Sequence, residues 1–287
     1  MPPDHSGKHW AATPVTLQGR DGASFRVVDV MPAKPRAAPV VVLHGMFTDR
    51  RFWLSDKGVG LAGYLAERGH PVFIVQRRGL GDSPATDKRC GLDEHLQHDL
   101  PVVQAHIAQQ FPAPAFWLGH SFGGVMAARG VADTLDASKV AGLVLLASQF
   151  EVGKRALDWP GNILTRALVR ACGYLPARAV GLGPVNEPAA AAQDACRWVS
   201  DGQRKPDIKQ SLQKITVPTL AISGAADTVD PTAGCKKLVA HFASKRVRFV
   251  RAGLADGFAQ DYNHPGIVIS KPAQAEIWPL IGDWMNA

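Results

Sequence analysis

Apolar residues along the chain cluster in short, nearly continuous runs that are separated by longer stretches of mixed character. The strand-like runs occupy residues 40–43, 71–75, 115–118, 140–146, 217–223 and 244–251. Consecutive apolar residues, many of them β-branched, are typical of strands that are buried on both faces of a parallel sheet. Helix-compatible stretches occupy residues 54–68, 92–110, 122–132 and 271–285. The alternation predicts an α/β fold with a mostly parallel, doubly wound sheet and helices on both faces.

The first part of the chain has the pattern of a β-hairpin. Residues 15–18 and 24–30 are strand-like, and the pair Asp21-Gly22 lies between them. Because this dipeptide readily forms a tight turn, we expect the two runs to pair. Residues 1–13 are predicted to be a polar tail.

Residues 149–213 interrupt the alternation of strands and helices. The segment is rich in Arg, Ala, Gly and Pro, and it is predicted to be a mainly helical cap inserted into a core of residues 1–148 and 214–287. It contains nine Lys and Arg against six Asp and Glu, a net charge of +3. This charge indicates either a solvated helical surface or a basic entrance that attracts anionic substrates.

The composition restricts the classes of protein to which the chain can belong. The chain has 287 residues, 46% of them hydrophobic and 20% charged, which fits one globular α/β domain with an insertion. No apolar run approaches the roughly 20 residues that span a membrane, and the first ten residues show no secretory signal. The four cysteines form no C-x-x-C pair, which favours free thiols in a reducing, cytoplasmic compartment. The net charge of +7 is not gathered in a basic tract with interleaved aromatics, so no nucleic-acid partner is expected.

One short motif carries a chemical signal. Residues 119–123, Gly-His-Ser-Phe-Gly, fit G-x-S-x-G and lie between a predicted strand and a predicted helix. In that context the turn is tight enough to require glycines, and it exposes the Ser121 hydroxyl at the helix N-terminus. Helix N–H groups there can stabilise a developing oxyanion. The alternative is a glycine-rich turn with an incidental serine.

A nucleophilic serine needs a base, and the base needs an acid that orients it. In parallel sheets such groups lie at the carboxyl ends of strands. Asp227 directly follows the run at 217–223, and His264 follows the run at 244–251 after a loop. Asp230, three residues beyond Asp227, is an alternative acid.

Together these features resemble the α/β-hydrolase fold over nearly the whole chain, and most closely its capped, esterase- or lipase-like members. The shared motifs are His44-Gly45, residues 78–83, the motif at 119–123, Gly224-x-x-Asp227, and His264 before the final helix. The resemblance implies Ser121 as nucleophile, His264 as base and Asp227 as acid. It also implies an oxyanion hole formed by the backbone N–H groups of Met46 and Phe122. Serine at the turn argues against the haloalkane dehalogenases and epoxide hydrolases of this fold, which have aspartate there.

Other candidate residues surround this constellation. Possible substrate contacts are His44, Phe47, His120, Trp159 and Trp198. For His44 a supporting role beneath the oxyanion loop is favoured, and for His120 a packing role beside the serine. His95 and His98 have a spacing that could hold a metal, but no carboxylate-rich setting is evident, and a solvated helix face is favoured.

The sequence therefore predicts a cofactor-independent serine hydrolase that cleaves a small carboxylic ester through an acyl-enzyme. A thioesterase, a lactonase and a carbon–carbon bond hydrolase are alternatives with the same triad, and an anionic substrate is one option. A non-catalytic binding protein on the same fold is the alternative of a different class. The substrate and the oligomeric state stay open.

Overall fold

Strands form where the chain concentrates its β-branched and apolar residues. In the computed structural model, which describes residues 9–153 and 156–287, they are β1 Trp10–Gln18, β2 Ser24–Pro32, β3 Val40–Leu43, β4 Val72–Gln76, β5 Ala115–His120, β6 Val140–Leu146, β7 Tyr174–Leu175, β8 Glu187–Pro188, β9 Thr219–Gly224 and β10 Val247–Ala252. Eight of them form one sheet in the order β1-β2-β4-β3-β5-β6-β9-β10. The six strands from β4 to β10 in this order are parallel, while β1 and β2 pair antiparallel at one side. The mostly parallel sheet predicted from the sequence is confirmed.

Helices cover both faces of this sheet. They are α1 Leu61–Glu67, α2 Leu92–Glu94, α3 Leu100–Gln110, α4 Phe122–Asp133, α5 Gly161–Cys172, α6 Ala189–Arg204, α7 Asp207–Leu212, α8 Thr232–Ala240, α9 Gly266–Ile269 and α10 Lys271–Met285. Apolar residues of α1, α9 and α10 form the core on one face, and those of α3, α4 and α8 form the core on the other. Among the described residues, no helix combines the length and the apolar character needed to cross a membrane.

The segment between β6 and β9 contains α5, β7, β8, α6 and α7. Helix α6 packs its buried side against the same core as α3 and α4. Helix α5 is different, because Ile163 and Leu164 on it are 56% and 76% exposed. The insertion is therefore attached through α6 and presents an apolar helix surface to solvent.

Three parts of the fold differ from the sequence prediction. Strand β1 begins at Trp10, so the predicted tail is too long by several residues; residues 1–8 lie outside the described part. Trp10 is buried because its indole packs beneath α1 at Gly63. The helix predicted from residue 54 begins only at Leu61, since a hydrogen-bonded turn between Ser55 and Val59 precedes it. The stretch predicted as one helix over residues 92–110 contains a π-helical segment, His95–Asp99, that joins α2 to α3.

Candidate active site

Ser121 lies at the sharp turn between β5 and α4, with φ 55° and ψ −129°. Its backbone N–H donates to the Leu146 carbonyl at 2.9 Å, which anchors the turn to β6. A Cβ on Gly119 would overlap the Gly123 backbone, and one on Gly123 would overlap the Leu43 carbonyl. Both glycines are therefore required for the close crossing of strand and helix, as the motif indicates.

Positive φ angles are concentrated around this turn. The described non-glycine residues with positive φ are Phe47 at 65°, Ser121 at 55° and Ala147 at 46°. They follow β3, β5 and β6, which are neighbours in the sheet. Backbone strain of this kind is typical of functional sites, and here it marks one edge of the sheet.

His264 and Asp227 form a hydrogen-bonded pair at the same edge. His264 Nδ1 lies 2.8 Å from Asp227 Oδ2. The other oxygen, Oδ1, accepts the backbone N–H groups of Val229 and Asp230, each at 2.8 Å. The carboxylate is thus held by the chain on one side and faces the imidazole with the other. The His264 side chain is 16% exposed, while that of Asp227 is fully buried.

The loop that carries His264 is supported from two sides. Asn263 Oδ1 accepts the N–H of Gly266, the first residue of the short helix α9, at 2.9 Å. His120 Nε2 lies 2.9 Å from the His264 carbonyl oxygen, and the two rings are 4.5 Å apart. Phe52 packs on the other side of His120, with ring centroids 4.6 Å apart. His120 therefore supports the His264 loop, and Asn263 is a supporting residue that the sequence reasoning missed.

Asp230 has a different position from Asp227. It is completely buried, and its Oδ2 accepts the Ser121 Oγ–H at 3.1 Å. Its Oδ1 accepts a hydrogen bond from Gln149 Nε2 at 2.7 Å. Within the described part of the chain, no hydrogen bond joins Ser121 Oγ to the His264 ring. The structure thus places Asp227 against the imidazole and Asp230 against the serine.

The loop after β3 approaches the serine closely. A Cβ on Gly45 would lie 3.0 Å from Ser121 Cβ, so the backbone just before Met46 passes close to Ser121. The next N–H, that of Phe47, donates to Glu187 Oε1 at 2.6 Å and is therefore engaged. Phe122 is the first residue of α4. Met46 thus follows the residue that approaches Ser121, and Phe122 is the residue directly after Ser121.

A buried ion pair fixes this loop to the insertion. Arg77 binds Glu187 with two hydrogen bonds, Nη2 to Oε1 at 2.7 Å and Nη1 to Oε2 at 3.0 Å. Nη2 also donates to the Gly45 carbonyl at 3.3 Å. His44 Nδ1 lies 2.9 Å from the same carbonyl, and its Nε2 accepts the Arg77 N–H at 3.4 Å. Burial, together with the Arg77 charge, lowers the pKa of His44 to about 3, so His44 supports the loop as a neutral ring.

A second buried network surrounds Arg78. Its guanidinium donates to Asp99 and, with distances of 2.6 and 2.9 Å, to both oxygens of Asp21. The hydrogen bond from Arg78 lowers the pKa of Asp21 to about 2. His95 Nδ1 lies 2.8 Å from Asp99 Oδ2 and the ring is completely buried, so the predicted solvated face is wrong for His95. No group of three or more potential metal ligands is found among the described residues.

The two tryptophans of the insertion differ. Trp159 is 66% exposed. Trp198 is buried, donates from Nε1 to Asp93 at 2.8 Å, and packs against the Arg129 guanidinium 4.2 Å from the ring. Trp198 therefore joins the insertion to the core, and we leave it out of the proposed substrate contacts.

A cleft of about 450 Å³ opens next to Phe52. Its lining comes from the loop after β3, the segment between β6 and β9 and the C-terminal helices, and Ser121, Asp227 and His264 are not part of it. Apolar side chains such as Phe52 and Trp278 line it together with polar ones such as Asp49 and Arg51. Phe52 lies between the cleft and His120, because the same ring packs on His120. The volume suits a small organic molecule.

Comparisons with known proteins agree with this architecture. A family model described as Serine aminopeptidase, S33, matches residues 33–253. DcsB in complex with its substrate analogue has a TM-score of 0.71 at 17% identity, over 96% of this chain and 99% of that one. An esterase from Pyrococcus furiosus has a TM-score of 0.66 at 15% identity, over 96% and 91%. A thermophilic esterase from Thermogutta terrifontis has a TM-score of 0.63 at 16% identity, over 96% and 98%.

No protein of curated function matches the sequence. At such low identity the solved structures establish the fold, whereas the family match extends from before β3 to the end of β10. The chain therefore belongs to the serine aminopeptidase S33 family of the α/β-hydrolases.

Proposed function

We propose that the protein is a serine hydrolase that cleaves a small carboxylic ester through an acyl-enzyme, without a cofactor. The observation that carries the proposal is the 2.8 Å hydrogen bond between His264 and Asp227, beside Ser121 on its strained turn. A carboxylate on Nδ1 fixes the tautomer in which Nε2 is free to accept a proton. Ser121 is then the nucleophile, His264 the base and Asp227 the orienting acid.

The reaction follows from these roles. The Ser121 hydroxyl turns towards His264 Nε2, gives up its proton and attacks the carbonyl carbon. The backbone N–H groups of Met46 and Phe122 stabilise the oxyanion, aided by the N-terminus of α4. His264 returns the proton to the leaving alcohol, and a water molecule activated by the same imidazole releases the acid.

We further propose that residues 149–213 act as a cap on the core of residues 1–148 and 214–287. Support comes from Glu187, which reaches from this segment to the loop after β3, and from Pro184, which lines the cleft. Substrate would bind between cap and core, where the cleft of about 450 Å³ can hold a short acyl or alcohol group. Trp159 stays a proposed acyl contact on the exposed side of the cap.

A fluorophosphonate probe tests the proposal directly, because it reacts with activated serines. The wild-type protein should be labelled at Ser121, and Ser121→Ala should lose both labelling and ester hydrolysis, with kcat/KM lower by about 10⁵-fold. Asp227→Asn should lower kcat/KM at least about a hundredfold, because a wrongly held tautomer cannot accept the serine proton. Absence of labelling and of hydrolysis in the wild type would favour a binding protein on the same fold.

The substrate class is tested separately with a panel of esters, thioesters and lactones of increasing acyl length. Small esters should give the highest kcat/KM, since the cleft is of limited volume. Thioesters or lactones that react much faster than the matched esters would move the assignment to those alternatives.

A further inference from the structure

Asp230 is a buried carboxylate that the proposed reaction does not use. It is completely excluded from solvent, and its Oδ2 lies 3.1 Å from Ser121 Oγ. A buried carboxylate is retained in a fold only with good hydrogen-bond partners. Here one of these partners is the oxygen that is proposed to attack the substrate.

The neighbour of Asp230 determines which oxygen faces the serine. Gln149 is also completely buried, and its Oε1 accepts the backbone N–H groups of Glu151 and Val152 at 2.7 and 2.8 Å. Its amide can therefore present only Nε2 to the carboxylate, which it does at 2.7 Å to Oδ1. Oδ1 is thus occupied by a donor, and Oδ2 is directed at the Ser121 hydroxyl.

The Asp230 carboxylate is not needed to hold Asp227 in place. Asp230 helps to hold Asp227 through its backbone N–H, which any residue except proline would supply. The carboxylate itself contacts Ser121 and Gln149.

We propose that Asp230 is a further catalytic residue, a second proton acceptor for Ser121 that acts beside His264. The inference rests on the proposed serine chemistry and adds a base to it. On this parallel route the Oγ–H proton passes to Asp230 Oδ2 instead of His264 Nε2, the Oγ–C bond forms, and the carbonyl π electrons move to the oxygen. When the bond to the leaving alcohol breaks, the proton passes from Asp230 to the alkoxide. Charge-assisted hydrogen bonds between a hydroxyl and a carboxylate are strong enough to hold the nucleophile for this transfer.

The decisive measurement is the second-order rate of inactivation by a fluorophosphonate in the absence of His264. This probe isolates the attack of the serine: the Oγ–P bond forms, the P–F bond breaks, fluoride leaves, and the proton goes to the acceptor. His264→Ala should still be labelled at a measurable rate, whereas Ser121→Ala is not labelled. Adding Asp230→Asn to His264→Ala should lower this rate at least about tenfold, because a positioned base typically contributes 10²–10⁴-fold.

Asn is the suitable replacement at this position. It keeps the shape, the backbone N–H and an oxygen for Gln149, and so turns its NH₂ group towards Ser121 in place of the acceptor. Asp230→Ala in the same background is the second variant. Cys235→Ala is the matched control, since its Sγ contacts the Asp230 carbonyl at 3.4 Å and leaves the carboxylate untouched; its rate should equal that of His264→Ala.

The outcomes separate the two proposals. If the wild-type protein is not labelled, the proposed serine hydrolase activity itself is rejected. If the wild type is labelled, either of two results would reject the role of Asp230 without affecting the proposed hydrolase. One is that His264→Ala is not labelled. The other is that the labelling rate of His264→Ala stays the same when Asp230 is also replaced. Loss of the residual rate in the Asp230 variants, with the Cys235 control unchanged, supports Asp230 as a base.

Discussion

Arg77 and Arg78 are neighbours in one tight loop, yet they stabilise different parts of the molecule. Arg77 binds Glu187, between β6 and β9, and the carbonyl of Gly45, which lies beside Ser121. Arg78 binds Asp99 and Asp21, and so joins the segment before α3 and the β1–β2 turn to the end of β4. Both guanidinium groups are buried.

The two networks differ in the parts of the chain that they connect. The partners of Arg78 lie within residues 1–148, where the contacts hold the sheet and its helices together. The Arg77 network leads to the loop after β3 and to the segment between β6 and β9, the proposed cap. We therefore expect damage to the Arg78 network to reduce stability, and damage to the Arg77 network to reduce activity as well.

The largest expected effect is on stability, from Asp99→Ala. Removal of one partner leaves the Arg78 and His95 side chains without their buried carboxylate, and such a loss typically costs about 3–5 kcal/mol. Urea unfolding measures it. Asp283→Ala, which removes the exposed partner of Arg68, is the control and should change the free energy of unfolding by less than about 0.5 kcal/mol. If Asp99→Ala changed the free energy of unfolding as little as the control does, the Arg78 network would have no role in stability.

A matched pair of amide substitutions tests whether the Arg77 network affects activity more than the Arg78 network does. Glu187→Gln should lower kcat/KM by about tenfold or more, because it weakens the contacts that hold Phe47 and the oxyanion loop, where a single lost donor costs 10²–10³-fold. Asp99→Asn makes the same chemical change in the other network and should leave kcat/KM within about twofold. Equal effects of the two substitutions on kcat/KM would show that both networks act only through stability.

A further expected effect concerns pH, because each network contains a buried histidine. Burial lowers the pKa of His44 to about 3 and shifts the pKa of His95 downward as well. The His44 ring stays neutral in the folded protein above about pH 3 but binds a proton in the unfolded chain below about pH 6.5. Since the unfolded state binds more protons, the free energy of unfolding should fall as the pH decreases from 6.5, by up to about 1.4 kcal/mol per pH unit for His44, and the lowered pKa of His95 acts in the same direction.

Thermal unfolding between pH 7 and 4.5 measures this slope. His44→Gln and His95→Gln should each make the dependence on pH shallower, and the His44 contribution should persist to the lower end of this range, because its pKa is about 3. A slope that is the same in the wild type and in both variants would mean that these rings take up protons in the folded state.

Elements with a strong local signal were predicted well. The continuous apolar run of β6, Val140–Leu146, and the capped amphipathic helix α10, Lys271–Met285, have the bounds that the sequence indicates. The start of α1 was missed because Gly58 and Gly60 allow a turn where the periodicity continues. The sequence pattern from residue 54 favours a helix, but the glycine conformations before Leu61 form a turn instead.

The contacts between distant residues could not be predicted. Arg77 and Glu187 are 110 positions apart, and Ser121 and Asp230 are 109 apart. The sequence identified both aspartates near the end of β9 but could not determine which of them faces the imidazole, since that depends on the path of the backbone after Asp227. The roles of Ser121, Asp227 and His264 stay predictions until the variants are measured.

The strained backbone at Phe47, Ser121 and Ala147 has a consequence for engineering. Each of these residues has a conformation that glycine would adopt at lower energy, so the edge of the sheet that holds the site is less stable than its composition allows. Substitutions that relax this edge would raise the melting temperature and change the position of Ser121 in the same step. Thermostable variants of this protein should therefore be sought at the opposite ends of the strands, away from the proposed site.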